Sequence, residues 1–217
     1  MMIPRLTDGG TVVCLASGPS LTPEDVETVR ETGFVTIAIN DAVQLAPWAA
    51  VLYSSDSSWW TRAAKMPAFH GLKYKVSAQH APRVEKTRWP GVVILENTGE
   101  RGLELTPPAI RTGKNSGSAA INLAVHLGAR RVLLLGYDMG PHLGRHHFFE
   151  AAAVANLSPY VMFRKYLATM AGPLAEAGIV VLNCSRRTAL ECFPCVTLEA
   201  ALEEAPTHAD RALSANV

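Results

Sequence analysis

Short apolar runs rich in β-branched residues alternate along the chain with segments of helical period. Thr11-Val-Val-Cys-Leu-Ala16 is nearly continuous in apolar residues and is bounded by Gly9-Gly10 and by Ser17-Gly18-Pro19, which predicts a strand buried on both faces. Thr22-Pro-Glu-Asp25 then opens a helix. Thr22 is a capping residue, Pro23 suits the first helical position, and Glu24 and Asp25 fall at the positive end of the helix dipole. Gly33 ends it. Phe34 to Ile39 and Val51 to Tyr53 predict the second and third strands, and Tyr74 to Ser77 and Val92 to Leu95 two more. Glu96 to Asn115 has no sustained period and is rich in Gly, Pro and Thr, so it reads as a long exposed connection. Ser116 to Leu127 carries a helical stripe at Ala120, Leu123, Ala124 and Leu127, stopped by Gly128. Arg131 to Leu135 is the most convincing central strand. Pro159 to Glu176 predicts a long amphipathic helix, Ile179 to Leu182 a strand, and Thr197 to Glu204 a terminal helix.

Strands separated by helices in this order imply an α/β, doubly wound, mainly parallel sheet with helices on both faces, a Rossmann-like single domain over residues 1–205. Residues 206–217 read as a flexible tail. Composition adds exclusions. Hydrophobic residues make up 48% and charged residues 18% of the 217 residues, close to globular averages. The net charge is +1, with Lys and Arg scattered, so no basic stripe for nucleic acid is expected. Four cysteines stand at 14, 184, 192 and 195 without paired CxxC elements, and no metal site is expected from them; reduced, mostly buried thiols fit best. Without a signal-peptide core or an apolar run near the roughly 20 residues of a membrane span, the expectation is a cytoplasmic protein with no membrane-spanning segment. A homo-oligomer is left open.

Ligands on doubly wound sheets bind beyond the carboxyl ends of the strands, and those positions are polar here. After the first strand come Ser17, Gly18, Pro19 and Ser20, where a glycine permits close backbone approach and hydroxyls can donate to an anion near a helix N-terminus. A tight turn without a ligand is the alternative. Asn40 follows the second strand and can read a base or sugar edge; Asp41 is a helix cap or a site carboxylate. Ser55 and Asp56 follow the third strand, before Trp59-Trp60, which read as core or lid packing. Asn115, Ser116 and Gly117 open a second polar helix start, which would converge with the first if their strands were neighbours. Asp138 follows the strongest strand, with His142, His146 and His147 in the next loop. A histidine can serve as general base, and an aspartate can orient it or hold a divalent ion. Asn183, Ser185 and Arg186 stand at the end of the last strand as the pocket rim.

Gly18 to Leu21 (GPSL), Ile37 to Asp41 (IAIND), Asn115 to Gly117 (NSG) with Leu127-Gly128, and Gly136 to Asp138 (GYD) together resemble the bacterial lipooligosaccharide sialyltransferase fold. The pattern is similar also to the hydroxymethylpterin diphosphokinase-like family and to uncharacterised phage proteins. The first resemblance implies a transferase that binds a CMP-linked or other nucleotide-activated sugar through Gly18, Pro19, Ser20, Asn40, Ser116 and Gly117, with a histidine as general base. Asn115 stands where that family has a threonine, and its pair of donor-gripping tyrosines is not evident. The second implies diphosphate transfer from ATP to a small hydroxymethyl compound, with Mg2+ held by Asp138 and by Asp56 or Asp41. The third implies an accessory protein that retains a nucleotide pocket without turnover.

Overall fold

Residues 3–63, 69–77, 88–149 and 158–203 are described in the computed structural model of the chain. The first strand, β1 (Thr11–Leu15), is buried at every position, as its unbroken apolar run requires. It feeds α1 (Pro23–Thr32), where the Thr22 side chain accepts from the Asp25 amide and Gly33 closes the helix at φ 70°. There follow β2 (Val35–Ile39), a 3-10 helix over Asn40–Gln44, β3 (Val51–Tyr53), α2 (Ser57–Ala63), β4 (Leu72–Val76), β5 (Val92–Gly99) and β6 (Ala109–Arg111). The chain then crosses back through α3 (Ser116–His126) to β7 (Arg131–Leu135), and finishes with α4 (Ser158–Glu176), β8 (Val180–Asn183) and α5 (Leu198–Glu203).

These strands form one eight-stranded sheet in the order β6-β5-β4-β3-β2-β1-β7-β8, and every pairing is parallel. Successive residues of β1 serve opposite layers. Val12 and Cys14 join the core under α3 and α4. Val13 and Leu15 join a second core with Val26 and Val29 of α1, Trp59 and Trp60 of α2, and Leu198 of α5. The sheet is therefore covered on both faces, as a doubly wound sheet must be to bury its apolar strands. No helix among the described residues is long and apolar enough to cross a membrane. All four cysteines are unpaired, with Cys14 and Cys184 buried; burial pushes both thiols up to about 12.

The segment expected to be one long exposed connection, Glu96 to Asn115, is largely structured. β5 runs on to Gly99, and Ala109–Arg111 adds an edge strand beside it. What holds the polar loop between them is Asn122, a fully buried residue of α3. Its Oδ1 accepts from the amides of Glu104 and Arg111, each at 3.0 Å, and its Nδ2 donates to the Glu104 carbonyl at 2.8 Å. A local apolar pattern cannot announce such a loop, because its backbone groups are satisfied by one side chain from a distant helix. Asn122→Ala would leave two amides and a carbonyl without those partners and is expected to lower the unfolding free energy by about 2–3 kcal/mol, measured by urea denaturation.

Candidate functional site

β1 lies between β2 and β7, so the strand order reverses at the β1/β7 pair. That is the point where an open α/β sheet leaves a crevice at its carboxyl edge. The parallel pairing continues past the strand ends: the Ala16 amide donates to Leu135 O, and the Gly18 amide to Gly136 O, each at 2.9 Å. Gly136 takes φ +70°, and a Cβ there would stand 2.4 Å from Ala16 O. At Gly18 a Cβ would fall 2.1 Å from Asp138 Oδ1 and 2.3 Å from Gly136 O. Both positions therefore exclude a side chain.

Gly18 to Leu21 forms a β-turn with Pro19 at its second position, closed by the Leu21 amide donating to Gly18 O. The turn aims Ser20 at Asp138. The Ser20 amide donates to Asp138 Oδ2 at 3.0 Å and its hydroxyl to Oδ1 at 2.8 Å. The loop expected to grip a ligand phosphate thus grips the protein's own carboxylate. Asp138 is only 4% exposed, and burial pushes its carboxyl up from 3.8 to about 6, against the opposing pull of the Ser20 hydrogen bonds and of His142. Its backbone is pinned from the β8 side. Ser185 Oγ accepts from the Tyr137 amide, Thr188 Oγ1 donates to Tyr137 O, and the Ala189 amide donates to Asp138 O.

The two neighbouring histidines diverge. His147 Nδ1 lies 2.9 Å from Ser17 Oγ, and the Phe148 amide donates to Ser17 O, so this stretch closes over the loop after β1. His146 Nδ1 instead meets the Tyr160 hydroxyl of α4 at 2.9 Å, and the two rings stack with centroids 5.6 Å apart. His142 belongs to a tight hairpin, exchanging backbone hydrogen bonds with Arg145 across Leu143 and Gly144, both at positive φ. The hydrogen bonds of the Asp138 carboxylate go to Ser20, not to His146 or His147.

The second polar helix start does not join the first through neighbouring strands. β6, which leads to α3, is the far edge of the sheet, and α3 reaches the middle only by crossing back over the face opposite α1. Its first turn nonetheless meets the strand ends. Asn115 caps it by accepting from the Ser118 amide. Ser116 Oγ accepts from the Ser55 amide at 3.0 Å, and the Tyr137 hydroxyl donates to Gly117 O at 3.1 Å. Ser55 Oγ is 2.9 Å from the Tyr53 hydroxyl. Between the two halves, at the end of β2, Asn40 holds φ 52°, and its buried Oδ1 has no hydrogen-bond partner among the described residues.

Several polar residues at strand ends prove to be committed to the fold. Asp41 is not the cap of the 3-10 helix; its carboxylate accepts from the Trp59 indole at 3.1 Å and from Gln44. Asp56 accepts from the amide and hydroxyl of Ser58 at the start of α2, the behaviour of a capping residue. Trp59 and Trp60 are buried in an edge-to-face pair. Asn183 is buried and bonded to Thr188 and Ser185, while Arg186 makes a two-pronged ion pair with Asp25 of α1, at 2.8 Å through both nitrogens. The sequence reading missed Tyr137, whose buried ring and hydroxyl connect the Asp138 turn to α3. Its place in Gly-Tyr-Asp after the strongest strand was the available signal.

Comparison of the chain with protein-family models, with curated proteins and with solved structures gives no match in any of the three. The fold is of the kind that binds nucleotides and cofactors in general, and the geometry at the β1/β7 crevice carries anything finer.

The Asp138 carboxyl has a pH consequence. With a folded-state value near 6, above the 3.8 of the free group, the native state holds the proton more tightly than the unfolded chain does. Its contribution is present below the unfolded value and is lost as pH rises through the folded one. Relative to Asp138→Asn, the wild type is expected to lose roughly 2–3 kcal/mol of unfolding free energy between pH 4 and pH 7, measured by denaturant titration of both proteins at each pH.

Proposed function

We propose that this chain binds the phosphate-bearing part of a nucleotide along the carboxyl edge from β7 to β3 and transfers a sugar from that nucleotide. The observation that carries the reading is Asn40 Oδ1, a buried acceptor without a partner among the described residues, at a strand end between the Ser17–Ser20 turn and the Ser55–Ser116 contact. A buried acceptor left unpaired costs free energy, and a donor on a base or ribose removes that cost. Close by, the first-turn amides of α3 at Ser116 and Gly117 precede any intrahelical acceptor and favour an anion. Ser17, Gly18, Pro19, Ser20 and Ser185 then shape the turn beside the phosphate.

For the chemical step, His147 is the base in preference to His146. In the tautomer whose Nδ1 donates to Ser17 Oγ, 2.9 Å away, Nε2 is the nitrogen that takes the proton of the acceptor hydroxyl. The acceptor oxygen forms its bond to the sugar carbon as the carbon–oxygen bond to the nucleotide phosphate breaks, and the nucleotide leaves with that electron pair. His146 is engaged on the other side by Tyr160 and positions the loop. Of the three aspartates considered for Mg2+, Asp41 is held by Trp59, Asp56 by Ser58 and Asp138 by Ser20; Asp138 is the one at the Gly-Pro-Ser turn, and holding an ion there requires it to give up its Ser20 hydrogen bonds. Diphosphate transfer would use it.

Thermal melting with a panel of nucleotides and nucleotide sugars, with and without Mg2+, tests the reading. A true ligand at a hundred times its dissociation constant is expected to stabilise the fold by about 2.7 kcal/mol. Asn40→Gly, which keeps the positive φ but removes the amide, and Ser116→Ala should each blunt that response. In a transfer assay His147→Ala should lose about 10²–10⁴-fold in turnover, and His146→Ala under about tenfold. Absence of any response to phosphorylated ligands overturns the proposal; turnover only with ATP and Mg2+ redirects it to diphosphate transfer, and binding without turnover to a nucleotide-binding accessory role.

A further inference from the structure

One face of α4 turns toward the candidate site, with Tyr160 on His146 and Arg164 donating to Met139 O. An adjoining face lines a cavity of about 650 Å³ together with the loop after β5. Its walls are Arg101, Val161, Met162, Lys165 and Tyr166. Met162, Lys165 and Tyr166 fall at helical spacings of three and four, so they present one continuous strip.

Charge in and beside this cavity is lopsided. The Tyr166 ring sits beneath two cations, with the Arg101 guanidinium 5.6 Å and the Lys114 ammonium 5.8 Å from its centroid. The carboxylate beside Arg101, Glu100, is already engaged: it accepts from the Tyr166 hydroxyl at 2.7 Å and pairs with Lys114 at 3.2 Å, while Glu191 lines the neighbouring cavity that Lys165 and Val161 also border. The Tyr166 and Lys114 contacts hold the Glu100 carboxyl below its ordinary value, so it stays charged and spoken for. Arg101 and Lys165 make no ion pair closer than 4.0 Å with any described carboxylate. Beside Lys165 on the same helix, Val161 and Met162 are 44% and 37% exposed, an apolar patch next to two cations that pair with no described carboxylate. The cavity is fixed in place, because the Gly102 amide donates to Thr169 Oγ1 of α4 and the Gly113 amide to Glu100 O. Lys114, at the end of this network, directly precedes Asn115, the cap of α3.

We infer that this cavity is the subsite for the second substrate of the transfer, an organic anion with a phosphate or carboxylate group on an apolar or ring-sized body. Arg101 and Lys165 take the anion, with Arg101 held in place over Tyr166, and Val161 and Met162 take the body. The assignment rests on the transferase reading for its role but not for its binding chemistry. Such a ligand neutralises the local excess of positive charge, which a neutral sugar does not. It also sits beside the start of α3, the helix whose first turn borders the nucleotide edge.

The test is titration, without nucleotide, of phenyl phosphate, benzoate and neutral benzyl alcohol onto the wild type, Ser116→Ala, and an Arg101→Ala, Lys165→Ala double variant. Saturable binding of either anion is expected, at least tenfold tighter than benzyl alcohol. The double variant should weaken it tenfold or more, and Ser116→Ala should leave it unchanged. The stronger of the two anions identifies the charged group. Absence of binding by both anions, benzyl alcohol binding equally well, or binding that survives in the double variant overturns the inference. Both substituted side chains are exposed; should the double variant not fold, Arg101→Gln and Lys165→Gln singly decide the matter on the same criterion. Nucleotide-induced stabilisation of the same proteins separates the two readings: if it persists while anion binding is missing, only the second-substrate subsite falls.

Discussion

The backbone ladder between β1 and β7 does not end with the strands, and the candidate site depends on that continuation. The Gly18 amide reaches Gly136 O only because neither residue carries a side chain: one position is blocked by the Asp138 carboxylate and the other by the Ala16 carbonyl. The two chains therefore leave the sheet in contact, at the place where its winding direction changes. Main chain and the short hydroxyl side chains of Ser17 and Ser20 stand at that junction.

Around that junction the structure is clamped from three sides. The turn after β8 holds the backbone of Tyr137 and Asp138 through Ser185, Thr188 and Ala189. Ser20 holds the Asp138 carboxylate, and Tyr137 ties the whole to the first turn of α3. An internal carboxylate sitting in the Gly-Pro-Ser turn satisfies donors that would otherwise wait for a ligand. The polar groups without such an internal partner among the described residues lie farther along the edge, at Asn40 Oδ1 and the first turn of α3.

Adjacent residues with the same chemistry receive different work from this arrangement. His147 meets the loop after β1, whereas His146 meets α4. The aspartates divide in the same manner: Asp138 is buried against the turn, Asp41 is bound to an indole, and Asp56 stands at the start of α2. The two histidines, Asp138 and Asp41 each meet a group from another element, whose position depends on how helices and strands are layered, whereas Asp56 meets Ser58 two residues on.

What could be read from the chain by itself was the set of elements whose signals are local. Thr22, Pro23 and Gly33 bound α1, and the apolar runs of β1, β3 and β7 made buried strands, because caps and continuous burial act within a few residues. The alternation of strands and helices implied parallel strands and helices on both faces, since connection rules leave few alternatives. Only the tertiary structure decided the rest. It turned Glu96 to Asn115 into an edge strand and a loop held by Asn122, carried α3 back across the sheet, set Asp138 into the Gly-Pro-Ser turn and separated His146 from His147. Each of these depends on a hydrogen bond between residues far apart in sequence, whose partner is chosen by packing and is invisible to any local pattern.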